Sequence, residues 1–105
     1  MTPKELQDRQ RVAEERKLAL AMGATSPRGR LILVRLKHGL TQHQMADKMN
    51  LRWDTYRRFE APLDKGYSSS PNLRSAVALR DATAEMGDEI DPGDWVDELD
   101  ERSKP

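Results

Sequence analysis

Residues 51–60 read LRWDTYRRFE, and they hold three of the chain's five aromatic residues together with three arginines. On an α-helix, Leu51, Thr55, Tyr56 and Phe59 fall on one face, and that face packs. Trp53, Asp54, Arg57 and Arg58 gather on the other side, with Arg52 at its N-terminal edge. The pattern predicts a helix that is core on one side and a charged, aromatic-bearing surface on the other. Folding does not require the charged stripe.

Just upstream, Thr41-Gln42-His43-Gln44 matches a capping box, in which the threonine hydroxyl and the glutamine amide each satisfy a backbone N–H that a helix start leaves free. Met45, Ala46 and Met49 then form a single buried face with Gln42, His43, Asp47 and Lys48 outside, so a short helix is expected. Asn50 ends it, because asparagine tolerates the left-handed backbone that a sharp turn between helices needs. Further upstream, RLILVRLKHG (30–39) sets Leu31, Val34 and either Leu33 or Leu36 at helical spacing and stops at Gly39, a left-handed C-terminal residue. The preceding GATSPRGR (23–30) reads as a polar linker; it lacks the Gly-x-x-x-x-Gly-Lys spacing of a phosphate loop, and no strand precedes it.

At the N-terminus, Thr2 caps a helix, Pro3 suits its first position and Glu5 completes a capping box. That helix is expected to run to Gly23 with a thin apolar stripe of Leu6, Ala13 and Leu20 beside Val12 and Ala19, too weak to centre a core. Beyond Glu60, APLDKGYSSSP is a breaker and a solvated loop in which Lys65, Tyr67 and the serines are the candidates to touch a partner. Ser70 and Pro71 are expected to cap and open a helix carrying Leu73, Ala76, Val77 and Leu79, which runs to Gly87. Pro92 opens a last short helix with Trp95, Val96 and Leu99 on one face. No strand-period segment or repeat is present, so the fold class is all-α.

Charge is lopsided beneath a formal net of zero. Residues 1–87 carry 16 Lys/Arg against 10 Asp/Glu, whereas 88–101 carry 8 acids and no base. A basic body points to a polyanionic partner. With no cysteine, disulfides, thiolate zinc sites and a cysteine nucleophile are excluded, and two histidines five apart make a poor metal site. No metal or other cofactor is expected. There is neither a long apolar run nor a secretory pattern, so no membrane association is expected and the expected compartment is the cytoplasm. No nucleophile, base and orienting group come together in the sequence, which argues against an enzyme.

The run from Leu31 to Leu79 resembles the phage-repressor-like (Xre/Cro-type) helix-turn-helix DNA-binding family, through GLTQHQMADKMNLRWDTYRRFE (39–60). Gly39 ends one helix, Gln42 opens the next, Ala46 sits at the close helix crossing and Glu60 ends the third. The resemblance implies a compact bundle of about five helices of lambda-repressor-like type. Here it would comprise an additional N-terminal helical arm (1–24), a helix-turn-helix domain (25–87, motif 41–60) and an acidic C-terminal segment (88–105). It further implies a recognition helix, residues 52–60, in the major groove. Arg52, Trp53, Asp54, Arg57 and Arg58 become base-contacting candidates, Gln42, His43, Lys48 and Thr55 phosphate-contacting ones, and Arg35 with Glu60 a structural ion pair. Either Arg57 or Arg58 can instead hold phosphate, which positions without specifying sequence. Two departures from the family pattern, Asn50 for the commoner glycine and Arg52 for a small hydroxyl cap, leave the start of the recognition helix open by a residue or two.

Two functional expectations follow from the resemblance. One is a transcriptional regulator in a bacterial or phage-infected cell, of phage or mobile-element type: a repressor acting as a homodimer on an inverted repeat, with Trp95, Val96 and Leu99 either at the dimer interface or closing the monomer's own core. The other is an antitoxin-type autoregulator whose terminal segment binds a protein partner. Activation through contact with RNA polymerase stays open beside them.

Overall fold

In the computed structural model, which describes residues 2–23 and 26–96, the elements are α1 (Pro3–Ala21), α2 (Pro27–Lys37), α3 (Gln42–Lys48), α4 (Trp53–Glu60) and α5 (Leu73–Glu85), followed by a helical turn over residues 92–96. No strand occurs among the described residues, and the fold is all-α. Local chemistry sets most of the boundaries. Thr2, Ser26, Thr41 and Asn72 each accept a backbone N–H from the first turn of the helix they precede, and at Thr41 the reciprocal half of the capping box is present through Gln44. Gly39 and Asn50 hold the left-handed backbone that the two turns of the motif need, at φ 67° and 54°.

The core is shared by α2 to α5 and the final turn. Leu31 and Val34 meet Met45, Ala46 and Met49 of α3, Tyr56 and Phe59 of α4, Ala76, Leu79 and Ala82 of α5, and Ile90 and Trp95 beyond it. Leu33 and Leu36 are both only half-buried, and the aliphatic side chain of α2 buried beside Leu31 and Val34 is Ile32.

Three boundary and packing expectations need correction. α2 begins at Pro27, not after a linker: Ser26 caps it, and Pro27, Arg28 and Gly29 are buried in its first turn. α5 is capped by Asn72, not Ser70, because the Ser70 hydroxyl accepts from the Arg28 guanidinium. The apolar stripe of α1 is split between solvent and the fold. Leu6 and Leu20 are exposed at 50 % and 65 %, and Ala13 is exposed too. The docked side is its Val12–Ala19 edge, where Ala19 is buried, Val12 and Met22 are half-buried and Glu15 reaches Arg35.

Gly29 is what lets α1 come so close. A Cβ there would sit 2.7 Å from the carbonyl oxygen of Ala19 and 3.3 Å from that of Gly23, both main-chain atoms that cannot swing aside. Alanine favours a helix interior over glycine by about 1 kcal/mol, so the sign of Gly29→Ala is decided by sterics. The substitution is expected to destabilise by about 1–3 kcal/mol in urea unfolding and to speed amide exchange in the last turn of α1. A more stable variant would mean that α1 does not dock here.

Candidate nucleic-acid interface

α4 is held on its inner side by a buried polar node. Arg35 is fully buried; its Nε donates to Glu60 Oε2 at 2.7 Å, Nη2 to Glu60 Oε1 at 3.0 Å and Nη1 to the Leu40 carbonyl at 3.0 Å. Glu15 of α1 adds a second carboxylate 3.1 Å from Nη2. Glu60 also accepts from Gln42 Nε2 at 3.0 Å and from the Tyr56 hydroxyl. Burial opposes the charge on Arg35, but the hydrogen bonds and charge of Glu60, with those of Glu15, more than compensate and hold it above the ordinary arginine value. The node joins α1, α2, α3 and α4 in one network.

The C-terminal end of α4 is fixed by a second arginine. Arg28 Nη1 donates to the carbonyls of Arg58, Phe59 and Ala61 at 2.8, 3.1 and 3.0 Å, and Nη2 to the Ser69 carbonyl at 2.6 Å. These are carbonyls that a helix end leaves unsatisfied, at the negative pole of its dipole, where a cation is favoured. The guanidinium lies 5.6 Å from the Trp95 ring, and Trp95 meets Phe59 edge-on with centroids 6.4 Å apart. Trp95 is thus 2 % exposed within the monomer's own core and is not available as a dimer contact. Val96 is exposed, and Leu99 lies outside the described residues.

The N-terminal end is steadied by a stack. α4 starts at Trp53 with Arg52 as its N-cap residue, without a side-chain cap, which fixes the boundary that the sequence leaves open. Trp53 lies parallel to His43 at 4.9 Å and 9°, and its indole N–H donates to Gln42 Oε1 at 3.2 Å.

With both ends and the inner face engaged, the outer face divides in two. Asp54 and Arg58 point most directly away from the buried Tyr56 and Phe59, as the helical repeat requires. Arg58 keeps 44 % of its side-chain surface, 3.8 Å from Asp54. Trp53 and Arg57 lie on the flank nearer Glu60. Arg57 Nε donates to Asp54 Oδ1 at 3.0 Å, while its guanidinium carbon lies 5.3 Å from the Trp53 centroid and 4.9 Å from that of Tyr67. The Arg57 hydrogen bond, reinforced by the charges of Arg57, Arg58 and Arg52, holds the Asp54 carboxyl below its ordinary value.

The other candidates scatter. Gln42 points both ends of its amide inward, to Glu60 and Trp53, and His43 is covered on one face by Trp53. Thr55 is half-buried beside the core face. Lys48, at the far end of α3, lines a crevice with His38, Ala82 and Glu85, away from the Trp53 cluster. Arg28 was missed by sequence reasoning, although the Ser26-Pro27 start that buries it repeats the signal of Thr2-Pro3. Among the described residues no group of His, Asp and Glu could hold a metal ion, and no helix is long and apolar enough to cross a membrane. No protein-family model, curated protein or solved structure matches the chain.

The node has a measurable pH signature. Burial first, then the neighbouring charge of Glu60, pushes the Tyr56 phenol well above its ordinary value near 10. The unfolded chain ionises Tyr56 at that ordinary value while the fold keeps it neutral. Its contribution to stability is therefore whole below about pH 10 and is lost as pH rises further. Tyr56→Phe is expected to cost about 1–3 kcal/mol at neutral pH, through the lost hydrogen bond to a carboxylate. Between about pH 9 and 11 the native protein should lose stability more steeply than the variant, as read from urea midpoints. Parallel curves would mean that Tyr56 ionises as freely in the fold as out of it.

Proposed function

We propose that this chain is a sequence-specific double-stranded DNA-binding transcriptional regulator that lays α4 in the major groove. The observation that carries the reading is α4 itself: an eight-residue helix locked along its inner face and at both ends, presenting Asp54 and Arg58 outward with Arg52 beside them. A groove about 12 Å wide admits one helix, and a helix held by its inner face can present its outer side chains to base edges. Arginine donates bidentately to guanine, and a carboxylate accepts from cytosine N4. The Asp54 carboxyl, held ionised by its arginines, would repel phosphate; a negative group on a DNA-facing surface belongs to discrimination, not to general affinity.

One such motif buries too little surface for tight specific binding, so the regulator acts as a homodimer on an inverted repeat, as a repressor. A second reading, recruitment of a protein partner by an antitoxin-type autoregulator, is favoured by one observation: the outward stripe of α1, where Leu6 and Leu20 stand exposed. Salt separates the two, since DNA binding releases counterions and weakens steeply as salt rises.

Selection of bound duplexes from a random pool tests the proposal directly, and an enriched palindrome is the expected result. On the selected site Arg58→Ala is expected to lose about 1–3 kcal/mol and to relax preference at one base position. Because the Arg58 side chain is largely exposed and contributes only its main-chain carbonyl to the Arg28 contact, the variant should unfold as the native protein does. No enriched sequence, together with a salt-insensitive complex with another protein, would replace this reading with the second.

A further inference from the structure

The structure assigns to Tyr67, in the loop after α4, the positioning of Arg57 as a preorganised base-reading group, an inference that rests on the DNA-binding proposal and names a specificity-determining residue outside the helix-turn-helix. Three groups hold the Arg57 guanidinium at once: Asp54 accepts from Nε at 3.0 Å, and the rings of Trp53 and Tyr67 lie against it at 5.3 and 4.9 Å. Its two terminal nitrogens make no hydrogen bond among the described residues, and about a third of the side chain stays open to solvent. The fork that matches the paired acceptors of guanine is therefore free while the rest of the side chain is fixed.

Tyr67 can do this because its loop is tied down. Ser69 N–H donates to the Arg58 carbonyl at 3.2 Å, the Ser68 hydroxyl to the Ala61 carbonyl at 3.1 Å, and two turns, Lys65 N to Pro62 O and Ser68 N to Lys65 O, close at 3.0 Å. Arg28 holds Ser69 and Ser70 from below. The Tyr67 ring thus rides on the end of the helix whose side chain it orients. Trp53, at the other side of Arg57, is itself fixed by His43 and Gln42. Arg58, by contrast, has only the long 3.8 Å approach to Asp54 and must be ordered when it binds.

Random-pool selection with full-length native protein, Arg57→Ala, Tyr67→Ala and Tyr67→Phe tests the assignment. Arg57→Ala and Tyr67→Ala are expected to relax the same single base position, the tyrosine variant by roughly two- to tenfold in base preference, the scale of leaving one long side chain unordered. Tyr67→Phe keeps the ring and restores the preference. In the free protein, the Arg57 Nε–H resonance should stand apart from free arginine, shifted by the rings, in native protein and Tyr67→Phe, and collapse toward it in Tyr67→Ala. A native motif that Tyr67→Ala leaves unchanged, or weakens equally at every position, overturns the inference while the DNA reading stands. A resonance at the free-arginine position in native protein overturns the clamp itself, whatever DNA does. If the resonance behaves as expected but no motif is enriched, it is the DNA reading that falls, and the role in base recognition with it.

Discussion

The ion pair of Arg35 and Glu60 is the constraint from which the geometry of this molecule follows. Taking two charges out of water costs several kcal/mol for each, and only close geometry and saturated hydrogen bonding offset it. Both conditions are met. Glu60 accepts from Arg35 twice, from Gln42 and from Tyr56, and Arg35 donates to Glu60, Glu15 and the Leu40 carbonyl. What the pair contributes is position. Tyr56 and Phe59 alone define an apolar face that would tolerate small rotations of α4, whereas a carboxylate that must meet four donors at once does not.

A fixed rotation of α4 decides what its surface can do. With Glu60 inward, the helical repeat leaves Asp54 and Arg58 outermost and puts Trp53 and Arg57 on the flank toward Gln42 and Tyr67. Arg28 then sets the axial position by taking the carbonyls at the helix end, and it does so from the first turn of α2, the same helix that supplies Arg35. Two buried arginines seven residues apart on one helix thus clamp α4 near its end, one through a side chain and one through the backbone. Trp53 steadies the other end through His43 and Gln42, and the side chains of Arg57 and Arg58 take no part in holding α4 to the other helices.

What could be read in the sequence was local. The capping box at Thr41, the left-handed Gly39 and Asn50, and the buried Met45, Ala46 and Met49 are each decided within a few residues, and each is present. The Ser-Pro pairs show the limit of such reading. At Ser26-Pro27 the pair opens a helix, while at Ser70-Pro71 it does not. The difference is a contact 42 residues away in the chain, since Arg28 occupies the Ser70 hydroxyl and Asn72 caps instead. Arg28, Gly29 and the Glu15 contact of α1 with Arg35 escaped because each owes its role to a partner distant in sequence or to main-chain atoms with no sequence signature. Trp95 was ambiguous for the opposite reason: an apolar residue in an acidic segment fits an interface or a core equally well until Phe59 and Arg28 are seen against it.

The acidic segment also changes how the net charge of zero should be understood. Two of its acids are paired with α2, Asp94 at 2.8 Å from Arg30 and Asp88 at 3.3 Å from Lys37, and the Glu89 main-chain carbonyl accepts from Arg30. Exposed pairs of this kind stabilise little by themselves. Their effect is on where the field is left uncancelled. None of the described acids of that segment meets a cation of α4, where the carboxylate among Arg52, Arg57 and Arg58 is Asp54. On the outer face of α4, among the described residues, three arginines stand around one aspartate, while Glu60 on the inner face is paired with the buried Arg35. A formal net charge of zero is in this way compatible with a locally cationic outer face of α4, with the acids Asp88 and Asp94 held on α2.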